Sequence, residues 1–358
     1  MASEGQGRLA SVTLVQVAQH AGVSLATASR VLNGSDRVPA AAIADKVRAA
    51  AAELRYVPNA QAQALARAAT GLVGVVVHDI ADPYFSTIIG GAQRAARRLR
   101  RQVLLAAAER DEGAEREAVA AFVAHRTDAI ILLGSRRTHP DADLAGELGR
   151  YVERGGRVLT IGASDVPGAA SLEIGNREGG VELVRALVGR GVGRFAILSG
   201  PPGLVTVRDR VGGFRQALDE AGIEPLAVVE GAFTSTGGHD AVTRLWQQLR
   251  WEEPLCLLAL NDVMALGAIT ALRGLGQSVP DDVQVAGFDD IPTLRDHAPG
   301  LTTYRLPLER IGERAVELAL DPEGGHERLT GEVVIRESAG AAPGRGAAAR
   351  ATAALTGA

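Results

Sequence analysis

Residues 13–33 read TLVQVAQHAGVSLATASRVLN and decide how the N-terminal part of the chain folds. Thr13, with Gln16 three positions later, is a capping box ahead of an apolar run, and this pattern predicts the start of a helix. The helix should end at residues 21–23, because Gly22 can adopt the positive φ that a sharp turn requires. The stretch therefore predicts two short helices joined by a tight turn.

The second helix of this pair should carry a small, hydrogen-bonding outer face. Ser24 is a candidate N-cap for a helix over residues 25–32, whose inward positions are Ala28, Val31 and Leu32. The outward positions are Leu25, Ala26, Thr27, Ser29, Arg30 and Asn33. Small side chains against base edges, with one arginine available to a phosphate or a guanine, favour a helix that lies in the major groove of DNA. The alternative interpretation is a helical hairpin that only packs.

A third helix should close a small core with the first two. The spacing of Ile43, Val47, Ala50 and Leu54 predicts this helix over residues 40–54. The expected core consists of Leu14, Val17, Val23, Val31, Val47, Leu54 and Tyr56. A core of this size is marginal by itself. We therefore expect the module to depend on the rest of the chain, or on DNA, for full order.

A proline and an alanine-rich stretch separate this module from the rest of the chain. Pro58 pushes the residue before it out of the α region, so the third helix cannot continue. Residues 60–69, AQAQALARAA, contain one large apolar side chain, Leu65. A helix this short is unstable alone in water. The stretch is therefore either a linker helix that forms only when docked or a plain tether.

Charge is unevenly distributed along the chain, whose formal net charge is −4. Residues 1–70 hold seven basic and four acidic side chains, whereas the remaining residues hold 31 basic and 38 acidic ones. A basic N-terminal module on an acidic body fits an electrostatic contact with phosphate that is confined to that module. The excess of positive charge in residues 1–70 is modest, so the helix pair at residues 13–33 is stronger evidence for DNA binding than the charge is.

The single cysteine, Cys256, lies in an apolar run over residues 255–260, where we expect a buried structural thiol. One cysteine excludes an intrachain disulfide and a cysteine-based metal site. The N-terminus lacks an apolar signal segment, and no apolar run reaches membrane-spanning length. These features favour a cytoplasmic protein, and we expect no cofactor.

The pattern changes at residue 72, where LVGVVV is typical of a strand buried on both faces. The strands predicted from here on cover residues 72–77, 103–107, 129–133, 157–161, 171–174, 195–199, 227–230, 255–259, 283–287 and 331–335, and one of the helices between them covers residues 209–221. Strict alternation of strands and helices implies an α/β fold with parallel sheets and helices on both faces. Ten strands are many for one open sheet, so we predict two doubly wound lobes with a cleft between them. Ligands of such folds bind beyond the carboxyl ends of the strands.

Seven segments of the sequence stand in a specific order. They are TLVQVAQHAGVSLATASRVLNG, YVPNAQAQALA, VGVVVHDIADPYF, RDRVGGF, ALNDVMALGAITALRGLGQSVPDDVQVAGFDDIP, PGLTTYRLPLERIGERA and VIRES. Together they resemble the LacI/GalR family of transcription regulators, over residues 12–338. The resemblance implies a sequence-specific DNA-binding repressor controlled by a small molecule, a sugar or sugar derivative, that binds between lobes like those of periplasmic sugar-binding proteins. It also implies a homodimer or tetramer.

The resemblance implies four parts of the chain. Residues 1–57 would form a helix-turn-helix headpiece and residues 58–70 a hinge helix or linker. Residues 71–338 would form a two-lobed domain for effector binding and dimerisation, and residues 339–358 a disordered tail.

The resemblance further implies that two headpieces read a pseudo-palindromic operator in double-stranded DNA. The hinge leucine, Leu65, would wedge into the minor groove at the centre of the operator and kink the duplex. The DNA contacts would come from Thr13, Ser24, Leu25, Ala26, Thr27, Ser29, Arg30, Asn33, Tyr56, Asn59, Gln63 and Leu65.

Ligand contacts in the cleft follow from the same resemblance. Arg210 matches an arginine that binds ligand hydroxyls or a carboxylate, and Asp289 matches an acidic acceptor on the facing lobe, so a polyol would bridge the two. Phe233 matches an aromatic side chain that stacks on the ligand, with a core position as the alternative. The remaining expected contacts are Tyr84, Phe85, Ser135, Thr206, Asn261 and Asp262. Asp262 fits a helix cap equally well.

Several positions depart from the family pattern. Gln63 stands where the hinge usually carries a basic residue, and Gly162 stands where an acidic residue usually accepts sugar hydroxyls. Gly175 replaces an aspartate. His78, at the end of the first strand, faces the cleft or an interface, and we do not assign it as a ligand contact. Asp290 is expected to be structural.

Two other classes of protein use doubly wound sheets. A solute-binding protein for transport would need an export signal and no DNA module, and this chain shows the reverse. An enzyme on a nucleotide-binding sheet would carry a glycine fingerprint or a P-loop, and neither follows the first strand. We therefore predict no enzyme activity. The expected mechanism is an equilibrium between two lobe arrangements that the effector shifts, and whether it induces or co-represses stays open.

Overall fold

The structure is a computed structural model, and it describes residues 12–33, 39–57, 69–139, 141–162, 164, 166–249 and 254–340. The chain divides into two units, one before Leu72 and one from Leu72 onward. Among the described residues, no helix is long and apolar enough to cross a membrane.

Three helices make up the described part of the N-terminal unit: α1 (Leu14–His20), α2 (Leu25–Asn33) and α3 (Ala41–Glu53). The predicted capping box is present, because the Gln16 backbone N–H donates to the Thr13 hydroxyl and the Thr13 backbone N–H donates to the Gln16 side chain at 2.8 Å. Gly22 has a φ of +65°. The Thr27 backbone N–H donates to the Ser24 hydroxyl at 3.1 Å. The predicted turn and both predicted caps are therefore confirmed.

The core of this unit contains all of the predicted residues together with several small ones. Its buried members are Val17, Ala18, Ala28, Val47 and Ala50, and Val12, Leu14, Ala21, Val23, Val31, Leu32, Ala51, Leu54 and Tyr56 pack against them. The predicted third helix is present, but Ile43, one of the residues whose spacing predicted it, is 38% exposed, and Ala44 is buried instead. Only a narrow stripe of α3 faces the other helices, and Ile43 lies one position before that stripe.

Twelve strands and eight α-helices make up the described part of the second unit. The strands are β1 (Leu72–Val77), β2 (Gln102–Ala107), β3 (Ala129–Leu133), β4 (Arg157–Ile161), β5 (Ala170–Ile174), β6 (Phe195–Ser199), β7 (Val228–Glu230), β8 (Leu255–Ala259), β9 (Val283–Asp289), β10 (Thr302–Arg305), β11 (His326–Leu329) and β12 (Glu332–Val334). The helices are α4 (Pro83–Arg98), α5 (Glu112–Ala124), α6 (Ala142–Glu153), α7 (Asn176–Val188), α8 (Val205–Glu220), α9 (Ser235–Gln248), α10 (Asp262–Gly274) and α11 (Leu308–Leu320).

The strands form two six-stranded sheets, which define a first and a second lobe. The order is β11-β5-β4-β3-β1-β2 in the first sheet and β12-β10-β9-β8-β6-β7 in the second. Neighbouring strands are parallel except for β10 and β12. The α/β class and the two doubly wound lobes are thus confirmed. Two strands, β10 and β11, were not predicted, because each is short and mixes polar with apolar residues.

The chain crosses between the two lobes three times, between β5 and α7, between β10 and α11, and between β11 and β12. The crossings lie side by side. The Gly175 N–H donates to the Leu329 carbonyl at 2.9 Å, and the Gly331 N–H donates to the Tyr304 hydroxyl at 2.9 Å. A side chain at Gly331 would approach the Arg305 carbonyl within 1.9 Å, so this crossing requires glycine.

Helices α4 and α11 pack closely on the first sheet. A Cβ at Gly312 of α11 would lie 1.8 Å from the Ile88 carbonyl of α4, and a Cβ at Gly91 would lie 2.0 Å from the Glu309 carbonyl. The two backbones therefore touch at this crossing, and no side chain fits between them. The last described helix is in this way an integral part of the first lobe.

Two further expectations concern the second lobe. Cys256 is fully buried in β8, as predicted, and burial raises the pKa of its thiol. Helix α8 begins at Val205, four residues before the predicted start. The β-branched run at residues 205–207 has low helix propensity, which explains why the sequence pattern missed this first turn.

Candidate functional site

The outer face of α2 is available for contact with DNA. Leu25 is 49% exposed, and Ala26 and Arg30 are exposed as well. Thr27 is half-buried, and its hydroxyl lies 2.9 Å from that of Ser24. Ser29 is half-buried too. The predicted reading face thus combines two exposed small or apolar side chains with one exposed cation.

The other predicted DNA contacts have different positions. Thr13 caps α1, and Tyr56 is half-buried against the core of the unit. Asn33 ends α2. Asn59, Gln63 and Leu65 lie outside the described residues, as do most of the predicted hinge and most of the predicted tail.

A cavity of about 330 Å³ lies between the two lobes, at the carboxyl ends of their strands. Eight of the nine predicted effector contacts line it: Tyr84, Phe85, Ser135, Thr206, Arg210, Phe233, Asn261 and Asp289. The expectation that these strand ends converge on one cleft is met by the geometry. Their role as ligand contacts stays a prediction.

Arg210 is the most firmly held side chain in the cavity wall. Its Nε donates to the Asn176 side-chain oxygen at 2.8 Å, and its other two nitrogens donate to the Leu260 carbonyl at 2.6 Å and to Asp289 at 2.8 Å. The guanidinium lies 3.9 Å from the centre of the Phe288 ring. A guanidinium has five N–H donors, so two remain for a ligand in a fixed position.

The position of Asp289 corrects one expectation. Asp289 ends β9 of the second sheet and Arg210 lies on α8, which belongs to the same lobe. The two side chains are each 3% exposed and already bond to one another. The pair therefore does not span the cleft, and a ligand cannot bridge the lobes by bonding to these two residues alone. Burial raises the pKa of Asp289, and Arg210 opposes this rise.

Asp262 is the predicted contact that does not line the cavity. Its carboxylate is fully buried and accepts from the Ile291 N–H at 2.8 Å and from the Thr303 hydroxyl at 2.7 Å. The expected helix cap is also wrong, because Asn261 caps α10 by accepting from the Met264 N–H. Asn261 lines the cavity, and its NH₂ group is the part left for a ligand.

Asp290 has the structural role that was expected. Its buried carboxylate accepts from Arg305 and Arg336, both at 2.7 Å. Burial raises the pKa of this carboxyl, but the hydrogen bonds from Arg336 and Arg305 outweigh burial, so the pKa lies below its usual value. Asp290 therefore remains charged and ties β9 to β10 and to the segment that follows β12.

Phe233 projects from the second lobe toward the first. One side of its ring packs against Gly200, where a Cβ would lie 2.5 Å from the ring. On the first lobe, the Arg110 guanidinium lies 5.2 Å from the ring centre, close enough for a cation–π contact. The residue is buried and lines the cavity at the same time, so it occupies a core position, and its contact with a ligand stays a prediction.

The first-lobe wall is built around the start of α4. Asp82 caps this helix by accepting from the Tyr84 N–H at 2.9 Å. The Tyr84 and Phe85 rings meet edge to face at 5.0 Å, and Phe85 meets the His78 ring at 5.8 Å. Burial, with the nearby charge of Asp289, raises the pKa of Tyr84 above its usual value, so its hydroxyl is a neutral donor and acceptor.

A short bridge of backbone hydrogen bonds connects the lobes at one side of the cavity. The Val205 N–H donates to the Arg136 carbonyl at 2.9 Å, and the Thr138 N–H donates to the Gly203 carbonyl at 2.8 Å. The Thr206 N–H donates to the Ser135 hydroxyl at 3.1 Å. We call residues 135–138 and 203–206 the closing bridge, and it involves two of the predicted effector contacts.

Several cavity residues were not among the predicted effector contacts. They include His78, Asp82, Arg110, Glu173, Asn176, Arg177, Glu178, Arg208 and Arg328. Asn176 lies two residues after the end of β5, so the rule that ligands bind at strand ends, which had already placed His78 at the cleft or an interface, could have found it. Arg328 lies on β11, a strand that the sequence pattern did not show.

A three-helix DNA-binding unit followed by two parallel sheets around a polar cleft defines a ligand-responsive transcription regulator. Family models agree with both halves of this description. Residues 13–59 match the model of bacterial regulatory proteins of the lacI family, and residues 184–339 match a periplasmic binding protein-like domain.

Relatives extend the match to most of the chain. The regulator CelR of Thermobifida fusca is 34% identical over 329 residues, which is 89% of this chain and 92% of CelR. The regulator GalR of Escherichia coli K12 is 34% identical and covers 86% of this chain and 88% of its own length. A crystal structure of the Lac repressor dimer, bound to operator and the anti-inducer ONPF, superimposes with a TM-score of 0.80 at 30% identity, and the match covers 93% of this chain and all of that one.

The chain therefore belongs to the lacI family. It is a DNA-binding transcription regulator and not an enzyme.

Proposed function

We propose that this regulator is a repressor whose affinity for its operator is controlled by a saccharide bound in the cavity between the lobes. The observation that carries the proposal is the fixed Arg210–Asp289 pair, which offers two N–H donors beside a carboxylate acceptor. Neighbouring hydroxyls of a sugar ring can donate to one and accept from the other.

The relatives support this class of ligand. A CelR structure was solved as a complex with cellobiose, at 30% identity, with a TM-score of 0.66 and coverage of 91% of this chain and 99% of that one. A Lac repressor structure was solved with ONPG in the repressed state. The predicted contacts Tyr84, Phe85, Ser135, Thr206 and Asn261 would complete the ligand site, with Phe233 at its edge.

DNA binding is proposed to require two copies of the chain. The Lac repressor was solved as a dimer on its operator, and a homodimer or tetramer of this chain would place two α2 helices in successive major grooves of a pseudo-palindromic site. Leu65 would insert at the centre of that site. A protein with this role acts in the cytoplasm.

Control would follow from an equilibrium between two arrangements of the lobes. The closing bridge and the Arg110–Phe233 contact are made in one arrangement and would be lost if the lobes separated at that side. A ligand shifts the equilibrium only as far as its affinities for the two arrangements differ.

The test uses the full-length regulator on an operator selected from random DNA. Addition of the matching saccharide from a panel should change operator affinity by five-fold or more, measured by fluorescence anisotropy. Arg210→Lys keeps a charge beside Asp289 but loses the planar fork of donors, so it should abolish the response while DNA binding remains. Arg185→Lys, on the surface away from the cavity, is the matched control. A full response in the Arg210→Lys variant would contradict the proposed site.

The role of Leu65 needs a separate comparison. Leu65→Ala should weaken binding to the selected operator by ten-fold or more and leave binding to unrelated DNA nearly unchanged. Equal losses on both DNAs would contradict the wedge.

A further inference from the structure

We infer that the effector carries an anionic group, a carboxylate or a phosphate, and that this group binds to Arg110 and His78 on the first-lobe wall. The inference rests on the proposed function, because it assumes that the cavity holds the effector. It narrows the ligand class from saccharides in general to acidic or phosphorylated ones.

Unpaired polar atoms are concentrated at this wall. Four buried side-chain polar atoms in the described part of the chain lack a hydrogen-bond partner, and three of them are both ring nitrogens of His78 and the Nε of Arg110. The fourth belongs to Glu178, which forms an ion pair with Arg328 at 2.5 Å. Each unpaired group costs about 1–3 kcal/mol, so three in one cavity wall indicate that the missing partner is a ligand.

The charges of the cavity identify the sign of that ligand. Four of its six arginines have a carboxylate within 2.8 Å: Arg136 with Glu115, Arg208 with Asp209, Arg210 with Asp289, and Arg328 with Glu178. Arg110 has none within 4.0 Å among the described residues, and Arg177, which also has none, is exposed to solvent. A partly buried cation without a counterion is unfavourable, and an anionic ligand would supply the counterion.

The acids nearest to Arg110 do not fill this role. Asp79 accepts from the Ala81 N–H at 2.8 Å and Asp82 accepts from the Tyr84 N–H at 2.9 Å, so each carboxylate serves its own turn. Burial lowers the pKa of Arg110 more than Asp82 and Asp79 raise it. The guanidinium therefore remains short of negative charge.

His78 and Arg110 both line the cavity from the first lobe. His78 and Arg110 follow β1 and β2, which are neighbouring parallel strands. Gly134, after β3, leaves room for the imidazole, because a Cβ there would lie 2.3 Å from it. Arg110 lies over Phe233, so an anion held at this wall would sit beside the aromatic ring of the opposite lobe.

The state of His78 fits an anion partner. Burial lowers its pKa to about 4, with the charges of Arg110, Arg136 and Arg137 acting in the same direction and the backbone of Ser135 opposing them. The ring is therefore neutral at pH 7, and one of its nitrogens donates an N–H. It can add a hydrogen bond to an anion without requiring a proton.

The experiment compares matched ligands on the intact regulator by isothermal titration calorimetry. The panel pairs neutral glucose, galactose and cellobiose with glucuronate, galacturonate, glucose 6-phosphate and cellobionate, and adds acetate and inorganic phosphate alone. In the pair that contains the effector, the charged saccharide should bind at least ten-fold more tightly than the neutral saccharide from which it derives. The affinities of the uronates relative to the phosphate ester distinguish the two anions.

Variants of Arg110 and His78 test whether the preference for the charged saccharide comes from the first-lobe wall. Arg110→Gln should reduce the preference for the charged ligand to less than two-fold while the neutral parent still binds, and Arg110→Lys should retain most of it. Arg185→Gln removes an exposed arginine that lies outside the cavity and should leave the preference intact. His78→Gln should reduce the preference by an intermediate factor.

The possible results distinguish a failure of the anionic-ligand inference from a failure of the proposed saccharide-binding function. Equal binding of neutral and charged saccharides overturns the inference and leaves the saccharide function in place. A charge preference that survives in the Arg110→Gln variant also overturns it. If no saccharide of either kind binds, the proposed function fails and the inference fails with it.

Discussion

The buried pair of Arg210 and Asp289 allows a quantitative prediction about the stability of the second lobe. Arg210→Met removes the counterion of a carboxylate that is only 3% exposed. It also removes the donors that satisfy the Leu260 carbonyl and the Asn176 side chain. Breaking one side of a buried ion pair costs about 3–5 kcal/mol, because the carboxyl group that remains must either stay charged in a medium that does not solvate it or take up a proton.

A double variant separates this penalty from the loss of packing. Arg210→Met combined with Asp289→Asn removes both charges, and replacing a buried pair by neutral groups is often close to neutral for stability. We therefore expect the double variant to recover most of the stability that the single variant loses. A mutation that partly rescues another in this way measures the coupling between the two residues.

The assay is urea unfolding followed by tryptophan fluorescence, since both tryptophans, Trp246 and Trp251, lie in the second-lobe part of the sequence. For a slope of about 3 kcal/mol per M, the single variant should lower the midpoint by about 1–2 M. A midpoint equal to or above that of the double variant would refute the reasoning, because it would mean that Asp289 does not need its partner.

Three further predictions test other parts of the molecule. Gly312→Ala should destabilise the protein by about 1–3 kcal/mol because the new methyl group meets the α4 backbone, whereas Gly149→Ala, on an open helix face, should stabilise it by about 0.5–1 kcal/mol in the same thermal unfolding assay; equal effects would contradict the close crossing. His78 binds a proton at about pH 4 in the folded state and at about pH 6.5 in the unfolded state. The free energy of unfolding should therefore fall by an amount on the order of 3 kcal/mol as the pH falls from 6.5 to 4. Urea titrations over this pH range should show a correspondingly smaller loss of stability for the His78→Gln variant. Arg30→Ala should lower the affinity for DNA and reduce the salt dependence of that affinity. Arg154→Ala, which removes one positive charge from the second unit, should do neither. If the Arg30→Ala variant has the affinity of the unmodified protein at two salt concentrations, Arg30 does not contact the DNA.

Local patterns in the sequence were enough to predict most of the secondary structure. The strands at residues 129–133, 157–161, 195–199 and 255–259 have the predicted bounds, because each consists mainly of apolar residues and is buried on both faces. The helix-turn-helix was equally predictable, since caps and turns depend on residues within a few positions of one another. Strand β11, HERL, gave no such signal because its stability comes from its pairing with β5.

The candidate site was predictable only in part, and the reason is topological. Strand order along the chain does not say which sheet a strand joins, so Asp289 was expected on the lobe facing Arg210 and lies on the same one. The fate of a polar side chain also depends on distant partners. The Asp262 carboxylate accepts hydrogen bonds from Thr303 and Ile291, whereas Arg110 has no acidic partner among the described residues. Neither fact can be predicted from the neighbouring sequence.

The three crossings between the lobes have a consequence for biosynthesis. The first sheet lacks its edge strand β11, and α4 lacks its packing partner α11, until residues 308–329 have been translated. The first lobe therefore leaves the ribosome exit tunnel incomplete and stays incomplete while the second lobe is being translated. A premature stop codon near residue 325 would deprive both lobes of a strand at once, so late truncations should be degraded rather than yield a protein with one working lobe.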